Sequence, residues 1–254
     1  MPSALFDLRG QNALVTGASK GLGRAMAAAL ARAGAAVALC ARDREGLAAT
    51  KALCEREGGR AEVFPMDVLD AASVRAGVAA AIERLGHLDI LVNNAGVNIR
   101  KPALELSESE WDTVVDTNLK GYFLVAQAVG RHMVERRRGK VINMGSIFGA
   151  VGMRDQLAYA SSKGGVVQLT KVLAIEWAPH GVNVNSIGPT YFETPLVAAL
   201  RNDPQRFAFI TERTPMGRWG QPEELEGTLL YLASRASDFV TGQTIYVDGG
   251  WTIW

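Results

Sequence analysis

Thr16-Gly17-Ala18-Ser19-Lys20-Gly21-Leu22-Gly23 follows directly on the apolar run Ala13–Val15 and leads into the helix-like run Arg24–Arg32. Strand, glycine-rich turn and helix, in that order, make a specific device. Glycine permits a tight turn and lets the backbone approach a pyrophosphate. The new helix then offers unpaired N–H groups and the positive end of its dipole. The spacing is G-x-x-x-G-x-G rather than the more familiar G-x-G-x-x-G. Such a turn can be purely structural, but its place at the first strand–helix junction points to a nucleotide.

Outward from this turn, apolar β-rich runs alternate with longer amphipathic ones. Ala13–Val15, Val37–Cys40, Ala61–Phe64, Ile90–Val92, Val141–Asn143, Val182–Ile187 and Thr244–Val247 read as strands, and most of the intervening runs as helices. The pattern predicts an α/β protein: a doubly wound, seven-stranded parallel sheet with helices on both faces. No repeat or linker divides residues 1–254, so one domain is expected. Its most irregular part is 188–220, rich in Pro, Thr, Arg and Trp, and lies where open α/β sheets bind ligands. It reads as a substrate loop.

Composition excludes several classes. The net charge of +1 provides no field for nucleic acid or anionic lipid. Arg136-Arg137-Arg138 reads as a solvated helix end. The apolar stretch Ala25–Ala41 is broken by Arg32 and Gly34, so it is not a membrane span. The two cysteines, Cys40 and Cys54, form no C-x-x-C pair or disulfide framework, no metal site is expected, and the N-terminus lacks a secretory pattern. A cytoplasmic protein is expected.

Tyr159 and Lys163 are four residues apart, one turn on one helix face. A free phenol titrates near pH ~10 and needs a shift of roughly 3 units to act near neutrality. An ammonium about 4 Å away supplies about that much, so this spacing suits a phenol used as acid/base. Taken alone, Tyr-x-x-x-Lys also fits a surface pair. Ser146 follows the strand Val141–Asn143 and fits either a hydrogen bond to a substrate oxygen or a loop cap. Asn118 interrupts the apolar run Val114–Val125.

Together these features resemble the classical short-chain dehydrogenase/reductases: Thr16-Gly17-x-x-x-Gly21-x-Gly23, Asn93-Asn94-Ala95-Gly96 after the fourth strand, Asn118, Ser146 and Tyr159-x-x-x-Lys163. The resemblance runs through nearly the whole chain. It implies a Rossmann-type fold and hydride transfer between a nicotinamide and a carbonyl/alcohol pair. Asn118, Ser146, Tyr159 and Lys163 would be catalytic, with Asn118 holding a water that links Lys163 to solvent. It implies cofactor contacts from Gly17, Ser19, Lys20, Gly21, Leu22, Gly23, Asp67, Val68, Asn94, Ala95, Gly96, Tyr159, Lys163, Pro189 and Thr194. Asp67 would meet the adenine, although a helix N-cap is its other reading.

Arg42 is the first charged residue past the second strand, and with Lys20 it favours the 2′-phosphate of NADP; Asp43 leaves NAD open. Within the family, Asn93–Arg100, Arg131–Arg136 and Arg213–Gly220 look most like sugar-acid dehydrogenases of the gluconate 5-dehydrogenase type. Arg100 and Arg154 are candidates to clamp a substrate carboxylate, beside Ser146 and Tyr159. One departure is Thr190 after Pro189, where the family usually has glycine. A 3-oxoacyl-carrier-protein reductase is the main alternative, and a nucleotide-sensing regulator a lesser one. The apolar helices around 111–134 and 159–177 suggest a homotetramer, with Trp251 and Trp254 packing on another subunit or folding back on their own.

Overall fold

The computed structural model describes residues 4–253. Seven strands, β1 (Asn12–Thr16), β2 (Ala36–Ala41), β3 (Arg60–Pro65), β4 (Ile90–Asn93), β5 (Gly139–Met144), β6 (Val182–Pro189) and β7 (Thr244–Val247), form one sheet in the order β3-β2-β1-β4-β5-β6-β7. Every pairing is parallel. The direction of winding reverses between β1 and β4, which makes the crevice beyond their C-terminal ends the place for a ligand.

The longer helices are α1 (Gly21–Arg32), α2 (Arg44–Arg56), α3 (Ala71–Leu85), α4 (Glu108–Val115), α5 (Gly121–Arg136) and α6 (Leu157–Trp177). After β6 come α7 (Ala198–Arg201), α8 (Pro204–Arg213) and α9 (Glu226–Ala233). Alternate residues of each strand face opposite layers. Ala13, Val15, Val37 and Leu39 pack with Met26 and Leu30 of α1, Leu47 of α2 and Leu229 of α9. Leu14, Ala38 and Leu91 pack with Val74 and Val78 of α3, Val125 and Val129 of α5, and Ala174 of α6. Both faces are therefore covered, which is why the inner strands β1, β2 and β4 read as continuous apolar runs.

Three local expectations are revised. The 188–220 stretch is not a simple loop: it carries α7 and α8, with Asp203 capping α8 through Gln205 N and Arg206 N. The arginines at the end of α5 do not simply project into water. Arg136 and Arg138 converge on buried Asp89, at 3.2 and 3.6 Å. Trp251 folds back into its own chain, where it is 2 % exposed, so packing on another subunit is not what buries it; Trp254 lies outside the described residues. Cys40 and Cys54 are both buried and free.

Candidate active site

The glycine turn forms the floor of the crevice. Gly17 (φ 65°) and Gly21 (φ 56°) take left-handed backbone. At Gly23 the reason for glycine is space: a Cβ there would sit 2.2 Å from the Gly17 carbonyl oxygen. Thr16 Oγ1 accepts from Asn94 N (2.9 Å) and Ala95 N (3.1 Å), while Asn94 Nδ2 donates to Thr16 O (3.0 Å). Asn94 and Ala95 thus brace the turn from β4. Arg24, which sequence reasoning passed over, steadies its other side: the guanidinium donates to Ser19 O (2.5 Å) and to Thr50 Oγ1 (3.1 Å).

Asp43, Asp70 and Ser107 cap α2, α3 and α4 with their side chains. Lys20, the N-cap of α1, provides no such bond. The first N–H groups of α1 are therefore available to an anion at the positive end of the helix dipole, and the residues present fit a dinucleotide pyrophosphate. Thr194 reaches the same mouth, its Cβ 3.8 Å from the point where a Gly21 Cβ would stand. At the tip of β2, Arg42 is exposed and lies 3.8 Å from Asp67. The Asp43 carboxylate is engaged by Gly46 N (3.0 Å). Asp67 accepts from Leu69 N (3.0 Å), and it is Asp70, not Asp67, that caps α3. Val68 packs against Gly121, leaving 3.1 Å for any Cβ there.

Ser146, Tyr159 and Lys163 come together beyond the end of β5. Ser146 caps a short turn, accepting from Phe148 N (3.2 Å). Its hydroxyl also hydrogen-bonds the Tyr159 phenol and pulls that pKa down, as does the charge of Arg100. Burial is the larger influence, and the phenol lies above its ordinary value. The expected lowering by Lys163 is not what this geometry gives. The Lys163 ammonium stands 5.6 Å from the Tyr159 ring centre and donates to Met144 O at 2.6 Å. Burial brings its pKa from 10.5 to about 7.

Asn118 lies in a single π-helical turn, Asp116–Lys120, between α4 and α5. Its side chain is fully buried and pairs with both backbone groups of Val97, each at 2.9 Å, and with Ser162 Oγ (3.2 Å). Ser162 in turn donates to Tyr159 O (2.7 Å). Asn118 thus ties the segment after β4 to the helix that carries Tyr159.

Arg100 is half-buried, and its Nε has no hydrogen-bond partner. Its guanidinium interacts electrostatically with Tyr191 and Tyr159. Arg154, by contrast, is exposed on the loop before α6. The two loops are joined by Asn98 Nδ2, which donates to Gln156 Oε1 (3.0 Å). An aromatic wall, also missed in the sequence, runs from Tyr159 to Phe148 (6.2 Å), Tyr191 (6.3 Å) and then Trp219 and Trp251 (5.5 Å each). The density of Tyr, Phe and Trp in the segment after β6 was its available signal. Thr190 avoids positive φ, so the position does not require glycine here; its Oγ1 is buried without a partner.

Comparison with known proteins agrees with this geometry. Residues 17–252 match the family model described as enoyl-(acyl carrier protein) reductase. Gluconate 5-dehydrogenase of Gluconobacter oxydans is 44 % identical, over 98 % of this chain and 97 % of that protein. A 2-dehydro-3-deoxy-D-gluconate 5-dehydrogenase of Formosa agariphila is 42 % identical, over 97 % of this chain and 94 % of that one. The crystal structure of a gluconate 5-dehydrogenase from Burkholderia cenocepacia, in complex with NADP and tartrate, superposes with a TM-score of 0.95; it is 43 % identical and covers 98 % of each chain. The chain belongs to the short-chain dehydrogenase/reductase family. It is an NAD(P)-dependent oxidoreductase.

Proposed function

We propose that this enzyme interconverts a secondary alcohol and a ketone on a sugar acid of the gluconate/keto-gluconate type, with NADP(H) as the preferred cofactor. The observation that carries the substrate class is Arg100: a half-buried cation with an unpartnered Nε, electrostatically coupled to Tyr159. A carboxylate would satisfy it with charge-assisted hydrogen bonds. The relatives named for sugar acids, and the one complexed with tartrate, support the same class. Arg154 is a weaker candidate for the same role because it stands exposed.

In this reading Ser146 donates to the substrate oxygen beside the Tyr159 phenol. Tyr159 takes the proton from the alcohol in oxidation and returns it to the ketone oxygen in reduction. Lys163, in its charged form, favours the phenolate. Asn118 fixes the backbone through which a proton relay reaches solvent. The crevice residues would hold a nicotinamide, which would supply the hydride chemistry. Lys20, Ser19, Gly17, Gly21 and the first N–H groups of α1 would hold the pyrophosphate, with Leu22 and Gly23 behind them; Asp67 and Val68 would serve the adenine, and Asn94, Ala95, Gly96, Pro189 and Thr194 the rest of the crevice. Arg42 would meet a 2′-phosphate, and the NADP complex of the Burkholderia relative supports that choice.

Residues 188–220 act as the substrate lid of a single-domain unit. Apolar exposure on α5 and α6, at Phe123 (44 %), Val172 (52 %) and Ile175 (76 %), supports a homotetramer built on these helices. Two free buried cysteines suit a cytoplasmic location. No helix among the described residues is long and apolar enough to cross a membrane.

The test is a panel of substrates followed by nicotinamide absorbance. It should contain gluconate and its keto acids, the matching neutral polyols, and 3-oxoacyl thioesters. Turnover of the sugar acids well above both other groups is expected. Preference for the thioesters would overturn the substrate class while leaving the reaction class intact.

A further inference from the structure

Lys163 is 3 % exposed and has no carboxylate partner among the described residues. Its ammonium donates to Met144 O (2.6 Å) and to Tyr122 Oη (3.4 Å). It also lies 5.0 Å from the centre of the Tyr122 ring. Tyr122 is 1 % exposed and donates its own hydroxyl proton to the same Met144 oxygen (3.2 Å). The three groups close a triangle. One carbonyl takes two donors, and the tyrosine hydroxyl accepts from the lysine while donating to the carbonyl. This occupies two of the three N–H bonds of the ammonium and leaves the third for the side of Tyr159.

We infer that Tyr122 is a positioning residue for Lys163: its hydroxyl holds the ammonium, in its charged form, at the edge of the Tyr159 site. The inference rests on the reading of Lys163 given above. A buried ammonium without a counter-ion keeps its proton only through hydrogen-bond acceptors and nearby π density. Tyr122 supplies one of each from α5, and β5 supplies the Met144 carbonyl. Burial places the Tyr122 phenol well above its ordinary pKa, so the hydroxyl stays neutral and does not compete as a base. The other titratable groups facing this pocket are Tyr159 from α6 and, through Tyr159, Arg100 from the segment after β4. The Ser146 hydroxyl completes the polar lining.

Tyr122→Phe isolates the hydroxyl, because phenylalanine keeps the packing and the π face. Losing an acceptor for a charged donor lowers the proton affinity of Lys163 and so makes the Tyr159 phenolate harder to form. In alcohol oxidation, kcat should fall by about tenfold near neutral pH. The limb of the pH profile that follows the Lys163 proton should move down by about one unit. KM for the alcohol and the melting temperature should stay close to wild type. The same substitution in a Lys163→Met background should cost nothing further, because the hydroxyl then has no ammonium to hold. An unmoved Lys163 limb, or an equal loss with and without Lys163, overturns the inference and leaves Tyr122 a structural residue. If Lys163→Met alone retains wild-type turnover, the reading of Lys163 itself is wrong.

Discussion

Lys163 donates its short hydrogen bond to the Met144 carbonyl oxygen, at 2.6 Å, while the ring centre of Tyr159 stands 5.6 Å from the ammonium. Charge and phenol are close but not directly paired. Burial sets the protonation of the lysine, and burial opposed by Ser146 and Arg100 sets that of the tyrosine.

Stability should depend on pH through Lys163. Its proton affinity corresponds to about 7 in the folded chain and to the ordinary 10.5 when exposed. Between those values the unfolded chain keeps a proton that the folded chain has lost. The unfolded state then binds more protons, so stability rises with pH across this window, by at most about 1.4 kcal/mol per unit. Tyr159 works in the opposite sense above its ordinary value of 10.0, because the folded chain holds that proton longer. Thermal melts from pH 7 to 10 should show a rise in wild type that Lys163→Met lacks. Parallel curves for the two proteins would show that burial does not lower the proton affinity of Lys163.

The glycine turn makes a sharper steric prediction. Gly23→Ala puts a methyl group 2.2 Å from Gly17 O and 2.5 Å from Asn94 Nδ2. One of these must move, and both belong to the braced turn. The change should destabilise the fold by about 1–3 kcal/mol and weaken cofactor binding further than that loss explains. Calorimetric titration with NADPH, at a temperature where the variant is folded, measures the second effect.

In the proposed function Arg42 selects the cofactor. Arg42→Ala should weaken NADP(H) by roughly 10- to 100-fold, the worth of a charge-assisted contact, and leave NAD(H) nearly unchanged. Fluorescence titration of both reduced cofactors checks this. A wild-type preference for NADH would reassign the position and bring Asp43 back as the ribose ligand, despite its cap to Gly46 N.

Arg100→Met should raise KM for sugar acids by roughly 10- to 100-fold while leaving neutral polyols unaffected. Equal loss on both classes would mean that Arg100 acts through the charge it places beside Tyr159 rather than on a carboxylate.

Assembly is tested on α6. Ile175 is 76 % exposed in the single chain, and Ile175→Glu should split a tetramer into smaller species. Light scattering that finds a wild-type monomer at micromolar concentration would remove the assembly proposal altogether.

The inner strands β1, β2 and β4 were legible because doubly buried parallel strands must be continuous apolar runs, the partly buried edge strands β3 and β7 from their β-rich composition, and the glycine turn because close backbone approach leaves few residue choices. Ser146, Tyr159 and Lys163 could be named from their spacing and family likeness. Their electrostatics could not, since they depend on where Met144 O, Tyr122 and Arg100 fall in three dimensions. Tyr122 was hidden inside an apolar helix, although a buried phenol always needs a partner for its hydroxyl. α7 and α8 were missed because each is short and the segment is rich in Pro and Thr. The convergence of Arg136 and Arg138 on Asp89 joins positions 47 and 49 residues apart, which no local pattern reveals.

In the proposed function Tyr159 carries the proton in nicotinamide-linked oxidation of a sugar acid. Its most direct test is the turnover of Tyr159→Phe, followed by nicotinamide absorbance with gluconate and NADP, alongside NADPH affinity measured by titration. Turnover at or near the detection limit is expected, with cofactor affinity within about twofold of wild type, since phenylalanine removes only the ionisable hydroxyl. Turnover within a few-fold of wild type would contradict it.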